Sequence, residues 1–317
     1  MRFIVRLFFA FAAIILVVSC QRGSLNTESP GISSLGENRE ASNKIVFWGH
    51  SAGVIIEPFL EEELKKEIKG NFSFEKCSVK REAMLQVAAR QGAFPAYFYR
   101  KNCVKMGNKY WIANADNPLL SSFDGTYAQF SICNGVNPCI INNTLGKLSR
   151  EEESVFFEPY DSNHFSLESI NTIETAASSK FRNPLFSFFW CDQEKDRSDI
   201  SALLKKYKLM AEFSGNSRYL IIGSITGDAS YHHDVESILS ESFGQHYLNA
   251  REYLVTEAEK IIESFSDNDK ELIGKGCVPT VWMQDEVHLN EIGAGMIAKK
   301  ATSIICNVFS LSQVISH

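Results

Sequence analysis

Between residues 44 and 91 a strand pattern and a helix pattern alternate twice, and that order leaves few folds open. Residues 44–48 are a short, mostly apolar run that ends against a glycine. Residues 57–68 have helical spacing, with Pro58 tolerable in a first turn. Residues 71–79 alternate as a strand does, and residues 81–91 read as a second helix. Strands separated by helices cross over to pair in parallel, and such a sheet is covered by helices. The same grammar returns later. Residues 185–190 are continuously apolar, as a strand buried on both faces should be, and residues 218–223 and 246–248 are further strands. Helical patterns occupy 196–207, 235–243, 251–264 and 290–308. In the last, Ile292, Met296, Ile297, Ala301, Ile304, Ile305 and Val308 share a face, away from Lys299 and Lys300. The expectation is one α/β domain with a parallel sheet, spanning residues 44–309.

The middle breaks that grammar. From about 103 to 175 the chain shows short β-like runs, at 109–112, 127–132, 139–141 and 155–157, separated by Gly, Asn, Pro and Asp. No helical period persists there, so the segment reads as a β-rich insertion of hairpins.

The first nineteen residues have the form of a secretory signal: Arg2 and Arg6, then an apolar stretch over 7–18, then Ser19-Cys20. Twelve apolar residues fall short of the roughly 20 that span a bilayer. The ending Val17-Val18-Ser19-Cys20 resembles the lipobox of bacterial lipoproteins, which implies that Cys20 is lipidated and becomes the membrane-anchored N-terminus. Gln21 after it, by resemblance to Gram-negative sorting, implies the outer membrane of the cell envelope if the host is Gram-negative; an uncleaved anchor or plain secretion are the alternatives. Residues 20–43, rich in Ser, Asn, Glu and Gly, read as a flexible tether. Without Arg2 and Arg6, 30 of the 32 basic side chains face 38 acidic ones, a formal charge of −8. An acidic chain lacking a basic tract is a poor nucleic-acid partner.

Beyond Cys20 the cysteines are Cys77, Cys103, Cys133, Cys139, Cys191, Cys277 and Cys306. An odd number so widely spread fits buried thiols with an occasional bridge, and Cys133 with Cys139 would be the pair formed in an oxidising compartment. No CxxC or HxxxH spacing suggests zinc, so no metal and no cofactor is expected.

Two stretches carry chemistry. Gly49-His50-Ser51-Ala52-Gly53 directly follows the first strand. A serine becomes a nucleophile only when it is exposed and beside a base, and a tight turn flanked by small residues exposes it. Asp285-Glu286-Val287-His288 lies just before the closing helix. Three residues apart, the carboxylate can hold one imidazole nitrogen while the other faces a serine. Taken singly, these stretches could be an ordinary strand–helix turn and a capping aspartate beside a surface histidine. Occurring together, they supply nucleophile, base and orienting acid.

With the serine after the first strand and acid and base adjacent near the end, the chain resembles an SGNH (GDSL-like) hydrolase. The segment Ala88-Ala89-Arg90-Gln91-Gly92-Ala93, and Gly276-Cys277-Val278-Pro279 ahead of Asp285 to Asn290, are similar to one group of that superfamily. The resemblance implies a three-layer, flavodoxin-like parallel sheet with a β-rich insertion after the second helix. It implies a serine esterase acting on short acyl or acetyl esters, with acylated glycans among its substrates, and Ser51, His288 and Asp285 as catalytic residues. The Ser51 N–H, with Gln193 as helper, would hold the oxyanion. Three departures qualify this. His50 stands where the family has Asp; Cys77 to Glu82 contains no glycine donor; and Cys191-Asp192-Gln193-Glu194 lacks the usual Asn, with two carboxylates that would repel an oxyanion. The alternative is a degenerate hydrolase kept as a glycan-binding or scaffold lipoprotein, with Lys80 and Arg81 filling the cleft. Tyr231-His232-His233-Asp234 reads as a solvent-exposed helix cap, Glu61 to Glu63 and Glu151 to Glu153 as solvated faces, and Trp282 as a candidate pocket wall.

Overall fold

A computed structural model describes residues 42–113, 117–120, 130, 135–152, 154–192, 194–227 and 229–311. The signal, Cys20, most of the tether and of the run 127–132, Cys133 and Gln193 lie outside the described residues. The architecture is mixed α/β, with one parallel sheet and an antiparallel β-rich insertion. In chain order the elements are β1 (Ser42–Gly49), α1 (Ser51–Glu67), β2 (Ser73–Ser78) and α2 (Met84–Gln91). The insertion holds β3 (Tyr97–Tyr99), β4 (Cys103–Met106), β5 (Lys109–Ile112), β6 (Cys139–Ile141), β7 (Thr144–Glu151), β8 (Ser154–Pro159) and β9 (Ile170–Thr175). Then follow α3 (Ala176–Lys180), β10 (Pro184–Trp190), α4 (Ile200–Ser214), β11 (Tyr219–Ile222), α5 (Ala229–Phe243), β12 (Tyr247–Leu248), α6 (Ala250–Glu259), α7 (Asp267–Gly274) and α8 (Glu291–Val308).

The parallel sheet runs β12-β11-β10-β1-β2, every pair parallel. Alternate residues of its strands feed two cores. Ile45, Phe47, Phe186, Phe188 and Trp190 pack with Ile56, Leu60 and Leu64 of α1 and with Ile297, Ala301 and Ile305 of α8. Val46, Trp48, Phe189 and Cys191 pack with Met84 and Val87 of α2, Tyr207 and Met210 of α4 and Leu239 of α5. Burial on both faces is why these strands read as apolar runs. The order reverses between β1 and β10, leaving a crevice at the strands' carboxyl ends.

The insertion begins at β3, six residues before the boundary expected at 103. Its sheet runs β3-β9-β6-β7-β8-β5-β4 over a separate core that includes Phe98, Ile141, Phe157 and Phe165. Asn142 and Asn143, at φ 47° and 62°, make the tight turn between β6 and β7.

Helix boundaries differ from expectation where caps decide them. α1 starts six residues before 57, because the His50 imidazole caps it, and Pro58 therefore sits inside the helix on its exposed side. α4 starts at Ile200, capped by Asp199, not at 196. α7 was not expected; Ser266 Oγ accepts the Asp269 N–H, a capping signal visible in Ser266-x-x-Asp269. On α8 the buried stripe is Ala294, Ile297, Ala298, Ala301 and Ile305, whereas Ile292 and Val308 are exposed. Among the described residues no helix is long and apolar enough to cross a membrane.

A buried ion pair ties α2 to the end of β2. Arg90 Nε and Nη2 donate to the Glu82 carboxylate at 2.7–3.1 Å, Nη2 also donates to the Cys77 carbonyl at 2.7 Å, and the guanidinium lies over Trp48. Removing one member strands the other charge, which costs about 3–5 kcal/mol, whereas replacing both by apolar groups is often neutral. Arg90→Met should lose stability of that order in denaturant unfolding, and Glu82→Leu/Arg90→Met should recover most of it.

Candidate functional site

Gly49 at the end of β1 pairs in register with Trp190 of β10 on one side and Ser78 of β2 on the other. A Cβ on Gly49 would lie 2.7 Å from Ser78 Oγ and 2.8 Å from the Trp190 carbonyl; one on Gly53 would lie 2.2 Å from Ser78 Oγ. Both glycines let the turn close tightly, and Ser51 becomes the first residue of α1. His50 holds the turn from behind. Its Nδ1 accepts the Ala52 N–H at 3.2 Å, which leaves Nε2 to donate to the Asp192 carbonyl at 3.2 Å. This cap requires a neutral ring, and burial keeps the His50 pKa below its ordinary value.

The partner loop is fixed as firmly. Met283 and Leu289 form a bridge, Gln284 N–H donates to the His288 carbonyl at 2.8 Å, and Asn290 caps α8 by accepting the Ile292 and Gly293 N–H groups. Asp285 Oδ1 accepts the Val287 and His288 N–H groups at 2.9 and 2.8 Å. The Val287 N–H first, and the His288 ring next, hold the Asp285 carboxyl below the usual carboxylate range. Asp285 Oδ2 lies 2.8 Å from His288 Nδ1, and His288 Nε2 lies 2.8 Å from Ser51 Oγ. Beside an ionised carboxylate Nδ1 carries the proton, so Nε2 is left to accept the serine O–H. Residues 237 positions apart thus form one serine–imidazole–carboxylate chain. The Asp285 side chain is 50% exposed and that of His288 24%, so solvent screens the acid more than it screens the imidazole.

These groups open on a cleft of about 730 Å³ at the carboxyl ends of β1, β2, β10 and β11. Ile55, Trp190, Ile225 and Val287 give it apolar walls, and Lys80 and Arg81 line it from the β2–α2 loop. Trp190, not Trp282, is the indole at the cleft; Trp282 is buried edge-on against Phe265. A second concavity of about 770 Å³, bordered by α5, α6 and α7, is lined by none of Ser51, His288 or Asp285.

Of the expected oxyanion donors, the Ser51 N–H is at the positive end of α1 and donates to no protein acceptor among the described residues. Gln193 lies outside them. Asp192 turns its carboxylate inward, where Oδ2 accepts from Arg197 Nε at 2.8 Å and Oδ1 from the Tyr207 hydroxyl at 2.7 Å. The repulsion expected from Asp192 is therefore offset by a buried cation. Arg197 also meets His232 Nδ1 at 3.2 Å, which corrects the solvent-exposed cap in part: His233 and Asp234 are exposed, but α5 begins at Ala229, ahead of Val235, and His232 is buried within it. Burial, then Arg197, pushes the His232 pKa down.

Among the described residues no three His, Cys, Asp or Glu side chains are placed to hold a metal ion. Cys139 is a buried free thiol with its pKa pushed up to about 12 by burial, and Cys103 is pushed up to about 11. Neither thiol ionises readily. Comparison with family models, curated proteins and solved structures finds no match for this chain.

Glu57, which the sequence reading passed over, sits buried one helical turn beyond Gly53 and accepts the Ser78 N–H at 2.9 Å. Burial pushes its carboxyl up to about 7, against the opposing pull of Ser78. Between 4.5, where the unfolded carboxyl ionises, and about 7, the folded protein keeps a proton that the unfolded chain has lost. Stability should fall with rising pH across that window and level off above it. Comparing unfolding of Glu57→Gln with the parent at each pH should reveal a difference on the order of 3 kcal/mol. The opposite contribution of His50, lost as pH falls below 6.5, cancels in that comparison.

Proposed function

We propose that the protein is a serine ester hydrolase of the SGNH type, with a three-layer, flavodoxin-like domain. The observation that carries this reading is the 2.8 Å contact of Ser51 Oγ with His288 Nε2, while Nδ1 of the same ring lies 2.8 Å from Asp285. The strand order and the crevice where it reverses support the same reading.

In the reaction, Ser51 Oγ attacks the ester carbonyl carbon as His288 Nε2 takes its proton. The displaced electron pair moves to the carbonyl oxygen, where the Ser51 N–H stabilises it. Collapse of the tetrahedral intermediate breaks the bond to the alcohol, which leaves with the proton from His288 Nε2. Water, deprotonated by His288, then attacks the acyl-serine; the carboxylic acid departs and the proton returns to Ser51. Asp285 holds the ring and stabilises the imidazolium without taking the proton. No cofactor enters this cycle. Short acyl or acetyl esters, including acetylated glycans, fit a cleft with apolar walls. Lipid anchoring through Cys20 at the bacterial envelope, the outer membrane in a Gram-negative host, is proposed from residues 1–21 alone.

The glycan-binding alternative draws on a different observation: two cations line the cleft, and no asparagine follows β10. Kinetics separate the two readings. With 4-nitrophenyl acetate or a peracetylated sugar, Ser51→Ala and His288→Ala should each lower kcat/KM by at least about 10³-fold, and the double variant should be little worse than either. Asp285→Ala should cost less, because the carboxylate is half exposed and screened. Turnover that survives Ser51→Ala would refute the esterase reading.

A further inference from the structure

We infer that Lys80 and Arg81 form an anion subsite beside Ser51, so that the preferred ester carries a carboxylate or similar anionic group close to its scissile bond. This deepens the esterase reading and rests on it.

Both residues are exposed and line the same cleft as Ser51 and His288. Arg81 has φ 68°, in the left-handed region that favours glycine. For a residue with a Cβ that backbone is strained, and it persists only where the surroundings enforce it. A glycine would relieve the strain; a long cationic side chain stands there in its place, in the wall of the nucleophile's cleft. The loop is anchored on both sides of these two residues. Val79 N–H donates to the Gly49 carbonyl at 3.0 Å, Glu57 accepts the Ser78 N–H, and Glu82 is locked into the buried pair with Arg90. The backbone that carries the two cations is therefore held on both sides.

Charge balance points the same way. Of the exposed lysines nearby in sequence, Lys65, Lys66 and Lys76 are matched by Glu61, Glu62 and Glu63, and Lys69, which has no ion pair among the described residues, does not line the cleft. Lys80 has no ion pair or hydrogen bond among the described residues. Of the described carboxylates that line the cleft, Asp192 is neutralised by Arg197 and Asp285 is engaged by the His288 ring. Ile55, Trp190, Ile225 and Val287 add apolar wall, which strengthens attraction to an anion that displaces water there.

Two ester pairs test the subsite with the full-length protein: 4-acetoxybenzoate against its methyl ester, and 4-nitrophenyl hemisuccinate against 4-nitrophenyl butyrate. A preference for the anion in the first pair places the subsite on the alcohol side, and in the second on the acyl side. At low salt kcat/KM for one anionic ester should exceed that of its neutral partner about fivefold to tenfold. The ratio should collapse at about 1 M salt, where the screening length is about 3 Å, and invert in Lys80→Glu/Arg81→Glu. Equal rates within both pairs, or a ratio unchanged in that variant, would overturn the inference. A titration followed by NMR keeps it separate from catalysis: Ser51→Ala protein should bind 4-acetoxybenzoate more tightly than the methyl ester, and lose that difference when both cations are reversed. Charge-dependent binding without turnover would sink the esterase and keep the subsite. Turnover without charge preference would do the reverse. Lys147→Ala, on β7 of the insertion, should alter neither readout.

Discussion

Three parallel strand ends meeting in one row set the geometry of the cleft. Gly49, flanked in register by Ser78 and Trp190, permits an approach that any Cβ would block. From that row the chain leaves in three directions. β1 turns into α1 and presents Ser51; β2 runs on to Lys80 and Arg81; β10 runs on to Asp192. The stitches between these exits are short and buried: His50 to the Asp192 carbonyl, Val79 to the Gly49 carbonyl, Glu57 to the Ser78 N–H. Placed on strand ends held this tightly, a nucleophile keeps its position without substrate, which reduces the reorganisation needed during reaction.

Most of the parallel sheet was legible because β1, β10 and β11 are buried on both faces, so the largely apolar runs at 44–48, 185–190 and 218–223 mark them directly. The insertion was legible through its turn residues, although its first strand, with Tyr97 and Tyr99 exposed around a buried Phe98, is too short to stand out. Helix starts were the weak point, since a cap depends on what a side chain meets in space. A histidine cap before Ser51 has no strong sequence signal, because imidazole is not among the preferred capping groups. Ser51, Asp285 and His288 could be chosen from local spacing, and the structure brings them together. Asp192 was misjudged as a repulsive charge because its neutralising partner, Arg197, is recognised only when the turn after β10 folds back onto α4 and α5.

Unusual groups at the cleft share a physical theme: each is compensated one layer behind it. His50 caps α1 with a neutral ring in a dry site. Arg81 adopts a backbone conformation suited to glycine because Glu82 and Arg90 fix the residues after it. Asp192 brings a charge into the loop after β10, and Arg197, Tyr207 and the His50 ring satisfy its polar atoms. The oxyanion site of the proposed reaction rests on the Ser51 N–H at the start of a 17-residue helix, where the backbone dipole favours developing negative charge.

Labelling the full-length protein with a fluorophosphonate, followed by mass mapping of the modified peptide, tests the central claim most directly, because the probe reports an activated serine without the natural substrate. The geometry predicts a single adduct on Ser51, formed at a rate that drops sharply in His288→Ala. Folded protein that takes up no label, or takes it up elsewhere than on Ser51, would contradict a working serine–histidine pair at this cleft.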